Sequence, residues 1–142
     1  MDQIEACISF LLGKAYQQVN ASAKRRLQPH GVTPVQYAVL NVLWQQDAQS
    51  GAALGERLQL DSATMTGVLD RLVGAGLVER QADPLDRRVN RVVLTGHGRS
   101  LQQPLDREMD ALNAEIFGQL GDEDADHLRA ILRRLGKPSQ RV

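Results

Sequence analysis

These 142 residues predict a mainly helical chain with a small two- or three-stranded β wing, and three observations predict it. Apolar residues recur at spacings of three and four along most of the chain, the period of one helix face. Aromatic residues make up only 4% while Leu, Ala, Gln and Arg are plentiful, which disfavours a sandwich or barrel. One stretch, Leu77 to Leu94, leaves the helical period for two short β-prone runs on either side of a charged turn.

The length is about one domain's worth, enough to bury a core without disulfide or metal staples. Cys7 is the single cysteine, so no intramolecular disulfide framework exists and a stapled secreted fold is disfavoured. The N-terminal apolar patch from Ile8 to Leu12 has no basic segment before it, and no run approaches membrane-spanning length. A cytoplasmic protein without membrane association is expected.

From Ile4 to Leu27, the apolar positions Ile4, Ile8, Leu11, Leu12, Ala15, Val19, Ala23 and Leu27 lay one stripe along a long first helix. Gln28-Pro29-His30-Gly31 ends it. Thr33-Pro34-Val35-Gln36 has the form of a capping box and opens a second helix that should stop near Gln45 to Asp47. Ser50 caps a short third helix with Leu54 and Leu58 inward, and Asp61 caps a fourth with Leu69 and Leu72 inward. Gly74-Ala75-Gly76 stops the fourth helix. Leu77 to Arg80 and Arg91 to Leu94 then pair as strands, Val92 and Leu94 sharing a face, around a loop from Ala82 to Asn90.

After Gly98 a long helical region keeps its period through Leu101, Leu105, Met109, Leu112, Ile116 and Leu120, with Pro104 as an early-turn residue or kink. A final helix opens at the acidic run Asp122 to Asp124, where the macrodipole favours negative charge, and buries Leu128, Ile131, Leu132 and Leu135. A frayed tail follows from Gly136. The terminal apolar stripes exceed what one small domain can cover, which points to pairing with a second copy; folding back on their own subunit is the alternative.

A short helix, a tight turn and a second helix followed by a basic hairpin form a winged helix-turn-helix, which can press a helix into one DNA groove and a loop into the next. Ser62, Thr64, Thr66 and Gly67 lie near the start of the fourth helix, where hydroxyls and free amides suit phosphates and base edges. Ser and Thr are equally ordinary helix-start residues. At the hairpin tip, Arg87 and Arg88 suit the negative potential of a narrow minor groove, and Asp86 can brace an arginine.

The formal net charge is zero, but it is unevenly placed: residues 1–32 carry four basic and two acidic groups, 33–98 six and seven, and 99–135 five and eight. The acidic excess therefore sits mainly in the late helices, and Lys24-Arg25-Arg26 and Arg87-Arg88-x-x-Arg91 remain as local basic clusters. Three segments are expected: 1–32, an N-terminal helix of a dimerisation region; 33–98, the winged DNA-binding domain; 99–142, C-terminal dimerisation helices and tail.

The run Ala63-Thr64-Met65-Thr66-Gly67-Val68-Leu69-Asp70-Arg71-Leu72, then Gly76-Leu77-Val78, Asp83-x-x-Asp86-Arg87-Arg88 and Leu94-Thr95-x-x-Gly98, resembles the MarR family of winged-helix transcriptional regulators. The order of elements agrees from about Ile4 to Leu135. The resemblance implies a homodimer, held by the first helix and the last two, on a roughly palindromic double-stranded operator with recognition helices about 34 Å apart. It maps the wing aspartate and arginine onto Asp86 and Arg88, with Arg87 adjacent, and has Arg71 support helix and wing by pairing with Asp86. Most such proteins repress transcription until a small aromatic or phenolic ligand binds between the dimerisation and DNA-binding parts. Two positions depart from the pattern: Gly67, where a longer polar side chain is common, and Arg91, where an apolar one is.

A family-like pocket would lie among the first, second and fifth helices, where Tyr16, His30, Tyr37 and Trp44 could stack on a ring and offer one hydrogen bond each; each also fits a core or interface role. Cys7 is read as a structural thiol, because no basic residue lies within a turn and no second cysteine can resolve it; an oxidation-responsive regulator is the alternative. His30, His97 and His127 lack ligand spacing, so no metal or cofactor is expected. No phosphate loop, nucleophile elbow or His-acid constellation suggests an enzyme. A winged protein-interaction module is the competing class, and it should expose apolar side chains at the wing and fourth helix.

Overall fold

The computed structural model describes residues 1–137; the rest of the expected tail, 138–142, lies outside the described residues. Seven helices and a three-stranded sheet follow in the order α1 (Ile8–Leu27), α2 (Pro34–Gln45), β1 (Gln49–Ser50), α3 (Gly51–Leu58), α4 (Ser62–Gly74), β2 (Val78–Ala82), β3 (Asn90–Leu94), α5 (Gly96–Ser100), α6 (Gln102–Gly118) and α7 (Asp122–Leu135). The expected mainly helical architecture with a small wing is what the chain adopts, and the sheet has three strands rather than two.

The helix starts follow from their caps. The Gln36 amide donates to Thr33 Oγ1 at 3.3 Å while the Thr33 amide donates to Gln36 Oε1 at 3.0 Å, a complete capping box. Ser50 accepts from the Ala53 amide at 3.0 Å, and Asp61 from the Thr64 amide at 2.7 Å. Thr95 caps α5 through the Gly98 amide and donates its own hydroxyl proton to the Gly76 carbonyl at 2.6 Å. Gly98 is required by packing: a Cβ there would run into the Leu77 carbonyl oxygen.

One expected helix bound is corrected. The first helix does not run from Ile4: Ile4–Ala6 form a 3-10 turn, Cys7 is extended, and α1 starts at Ile8. Nothing in that turn is buried, so no packing holds it in the helical line. The helical region around Gly98 breaks at Leu101, and Pro104 is the early-turn residue expected: third in α6, it has no amide to donate to the Ser100 carbonyl one turn back.

β3 is central in the sheet, order β1-β3-β2, all antiparallel, with Val78 opposite Leu94 and Gln49 opposite Val92. Val78, Val92 and Leu94 face a core built from Val39, Leu40 and Leu43 of α2, Leu54 of α3 and Met65, Val68, Leu69 and Leu72 of α4. Leu27 from α1 and Leu105 from α6, both wholly buried, complete the same core. The ends of the two long helices nearest the winged head are thus built into it. Toward its N-terminus α1 is different: Ile8, Leu11, Leu12 and Tyr16 are all exposed.

Candidate nucleic-acid interface

α4 presents its first turn to solvent on a firm cap. Asp61 takes two bonds from Thr64, amide to Oδ1 at 2.7 Å and hydroxyl to Oδ2 at 3.0 Å, which hold its carboxyl below the usual carboxylate range. Thr64 is therefore committed to the cap, with only its oxygen lone pairs left to accept. At about 100° per residue, the side opposite the buried Met65, Val68, Leu69 and Leu72 carries Ala63, Gly67, Asp70 and Gly74. Gly67 has open space around it, so the backbone itself is presented there. Ser62 and Thr66 lie on the flank toward α3 and line, with Gly51, Gly55 and Glu56, a cleft of about 370 Å³.

The expected pairing of Arg71 with Asp86 does not occur. Arg88, two residues along the same turn, takes both oxygens of Asp86: Nε donates to Oδ1 at 3.1 Å and Nη2 to Oδ2 at 3.2 Å. The Arg88 amide also donates to Asp86 Oδ1 at 3.1 Å. The Arg88 side chain and then its amide hold the Asp86 carboxyl below its ordinary range. The wing aspartate thus braces an arginine as expected, and that arginine is Arg88, whose side chain is 90% exposed. Arg71 stays exposed and makes no ion pair among the described residues. Arg87 is exposed beside Arg88 on the loop.

The link between recognition helix and wing is made elsewhere. Arg80 of β2 donates to Asp70 of α4 at 2.7 Å, an exposed pair on the face of α4 turned away from the core. Neither residue stands out in the sequence, because the contact depends on how β2 folds back along α4. Arg91 lies on the sheet face opposite Val92, with its Nε buried and without a hydrogen-bond partner. Asp47, also unforeseen, accepts from the Leu94 amide at 2.9 Å and helps hold β1 against β3.

The four candidate ligand residues fall in three places. Tyr37 and Trp44 meet edge to face, ring centroids 5.9 Å apart, at the seam between α2 and the α5–α6 corner. Their polar atoms are already used: Tyr37 donates to Asp106 Oδ1 at 2.8 Å and Trp44 Nε1 to the Gly98 carbonyl at 3.0 Å. Burial, and then the Asp106 carboxylate, push the Tyr37 phenol well above its ordinary value. His30 borders a separate hollow beside Arg26, which pairs with Glu115 at 2.9 Å and Glu108 at 3.7 Å. Tyr16 stands in a third place, an apolar groove of about 540 Å³ between α1, α6 and α7 lined by Leu12, Val19, Ile116, Phe117 and Leu128. Cys7 is half-buried at the N-cap of α1, outside the helix where the sequence had put it.

Among the described residues no cluster of His, Cys, Asp or Glu could hold a metal ion, and no helix is long and apolar enough to cross a membrane.

Residues 32–89, which contain the helix-turn-helix and most of the wing, match the MarR family model. The chain is 31% identical over 135 residues to the HTH-type transcriptional regulator YkoM of Bacillus subtilis, covering 93% of this chain and 86% of that protein. The crystal structure of a MarR family transcriptional regulator from Rhodococcus superposes with a TM-score of 0.84 at 25% identity, covering 98% of this chain and 100% of the other. BpsR of Bordetella bronchiseptica, solved to show how 6-hydroxynicotinic acid regulates its DNA binding, superposes with a TM-score of 0.90 at 27% identity, covering 98% and 99%.

Proposed function

The chain belongs to the MarR family of DNA-binding transcriptional regulators, and from that premise we propose that it acts as a homodimeric repressor, released from a palindromic operator by a small aromatic acid or phenol. The observation that carries the reading is the pairing of an exposed, capped helix start with a braced arginine wing, tied together by Asp70 and Arg80. Ser62, Thr64, Thr66 and the bare backbone at Gly67 meet the major groove, with Arg71 on a phosphate-facing flank. Arg87 and Arg88 meet the minor groove, whose negative potential draws arginine.

Dimerisation is supported by the face left uncovered on α1 and α7. Ile8, Leu11, Leu12 and Tyr16 on the first, and Ile131, Leu132 and Leu135 on the last, are exposed in one subunit and continue the apolar groove. A patch of this kind marks an association surface. On this reading residues 1–32 and 99–142 are the dimerisation region and 33–98 the reading head, in a protein that works in the cytoplasm without a membrane.

Effector response is supported by BpsR, whose DNA binding 6-hydroxynicotinic acid regulates. The seam at Tyr37 and Trp44 joins the reading head to α6, so a ligand that took the phenol from Asp106 would alter the orientation of the head. Its effect is bounded by its differential affinity for the two orientations.

Duplexes selected by the protein from its own genome, followed by release with a panel of aromatic acids and phenols, test the whole reading. A dimer by sedimentation, an inverted repeat in the selected duplexes and release by at least one of these compounds are expected. A monomer, or selected DNA without two-fold symmetry, overturns the dimeric operator; retention of DNA against every compound overturns the effector class.

A further inference from the structure

The apex of the wing carries Leu85, at 98% the most exposed large apolar side chain of the described residues. A lone exposed leucine is ordinary on a protein surface, but this one is mounted on a loop closed by its own hydrogen bonds. Pro84 precedes it, and the Leu85 amide donates to Asp83 Oδ1 at 2.8 Å. The Asp83 amide donates to the Val89 carbonyl at 2.8 Å, and the Val89 amide to the Asp86 carbonyl at 3.0 Å. Asp86 holds Arg88 on the same turn. Leucine and arginines are therefore offered together from a preset loop, and nothing in the subunit covers the leucine.

We propose that Leu85 is a minor-groove contact and specificity residue, packing on the deoxyribose walls beside Arg87 and Arg88 and favouring A·T over G·C at the steps it covers. The proposal rests on the DNA-bound wing of the preceding subsection. The chemistry of the groove suits the pair. Its walls are sugar C–H surface, and its floor is free of protruding groups at A·T pairs but carries the guanine N2 amino group at G·C. Narrow A·T grooves attract arginine, and apolar side chains, leucine included, are the usual wedges in minor-groove complexes. The two residue types then do separable work. The arginines contribute the salt-dependent part of binding, and Leu85 contributes a part that comes from dehydration and does not vary with salt.

The test uses the full chain and a duplex selected by the wild-type protein from a random-sequence pool, titrated over a range of salt. Leu85→Ala should weaken binding about tenfold with the salt slope unchanged, and Leu85→Met should stay within about threefold. Arg88→Ala should lower the slope. Exchanging the A·T pairs under the wing for inosine·C, which keeps an amino-free minor groove, should be tolerated, whereas G·C should cost about tenfold in the wild type and clearly less in Leu85→Ala. Residue 85 is fully solvated, so these variants fold as the wild type does, and thermal unfolding checks it.

Unchanged affinity in Leu85→Ala, or equal penalties for inosine·C and G·C, overturns the proposal; the leucine would then be free to serve a protein partner. If Arg88→Ala still lowers the slope in that case, the wing reading stands without the leucine. If neither variant changes binding, the wing itself is not at the DNA.

Discussion

Replacing Tyr37 by Phe removes the phenolic hydroxyl and little else, and it tests how the reading head is joined to the long helix behind it. The phenol donates to Asp106 Oδ1 at 2.8 Å, from α2 to α6. Hydrogen bonds to a charged acceptor are worth about 1.5–3 kcal/mol when buried. Both residues are only half-buried, so solvent replaces part of the lost bond and about 1–1.5 kcal/mol is expected. For a domain of this size that lowers Tm by about 3–7 °C, read by circular dichroism at fixed protomer concentration, since a dimer's Tm depends on it.

The same phenol carries a pH signature, set first by its burial and then by its bond to Asp106. The folded-state phenol lies well above the ordinary tyrosine value of about 10. A raised acid binds its proton more tightly when folded, so its contribution is fully present below pH about 10 and is lost as the unfolded chain alone ionises above it. Wild-type stability should therefore fall more steeply above pH 10 than that of Tyr37→Phe. In Asp106→Asn the alkaline fall should be shallower than in the wild type, and a double-mutant cycle should show coupling between the pair. A Tm within about 1 °C of wild type, an unchanged alkaline limb and zero coupling would show that the phenol and the carboxylate do not join α2 to α6.

Other substitutions probe the wing and the corner beneath it. Asp86→Ala makes the protein more positive, so charge alone predicts tighter DNA binding; loss of the brace on Arg88 predicts binding about three- to tenfold weaker per wing, and electrophoretic titration separates the two. Gly98→Ala pushes a Cβ into the Leu77 carbonyl and disturbs the Trp44 bond to the Gly98 carbonyl. It should cost about 2–4 kcal/mol in urea unfolding, and a midpoint equal to wild type would show that the corner gives way without strain.

The parts of the fold that local sequence could predict are those whose causes lie within a few residues. Thr33 with Gln36, Ser50 and Asp61 each place a helix start, because a cap and the amides it satisfies are three residues apart. The brace of Asp86 on an arginine was predictable for the same reason, since the two are neighbours on one turn. The stripe along α1 foretold an uncovered face, because helical periodicity counts apolar residues whether or not a partner is present.

Contacts between distant residues were not predictable in this way. Asp47 reaches the Leu94 amide across 47 residues, Tyr37 meets Asp106, Trp44 meets Gly98, and Asp70 takes Arg80 where sequence offered Arg71 and Asp86. The same distance explains why Tyr16, His30 and Tyr37, alike as polar ring residues, lie in three different environments. A one-dimensional pattern states which face of each element is apolar, and so determines the elements, their caps and the winged outline. Which polar group finds which partner is decided when those faces pack, since side-chain bonds act over about 3 Å and only the folded chain brings distant residues that close.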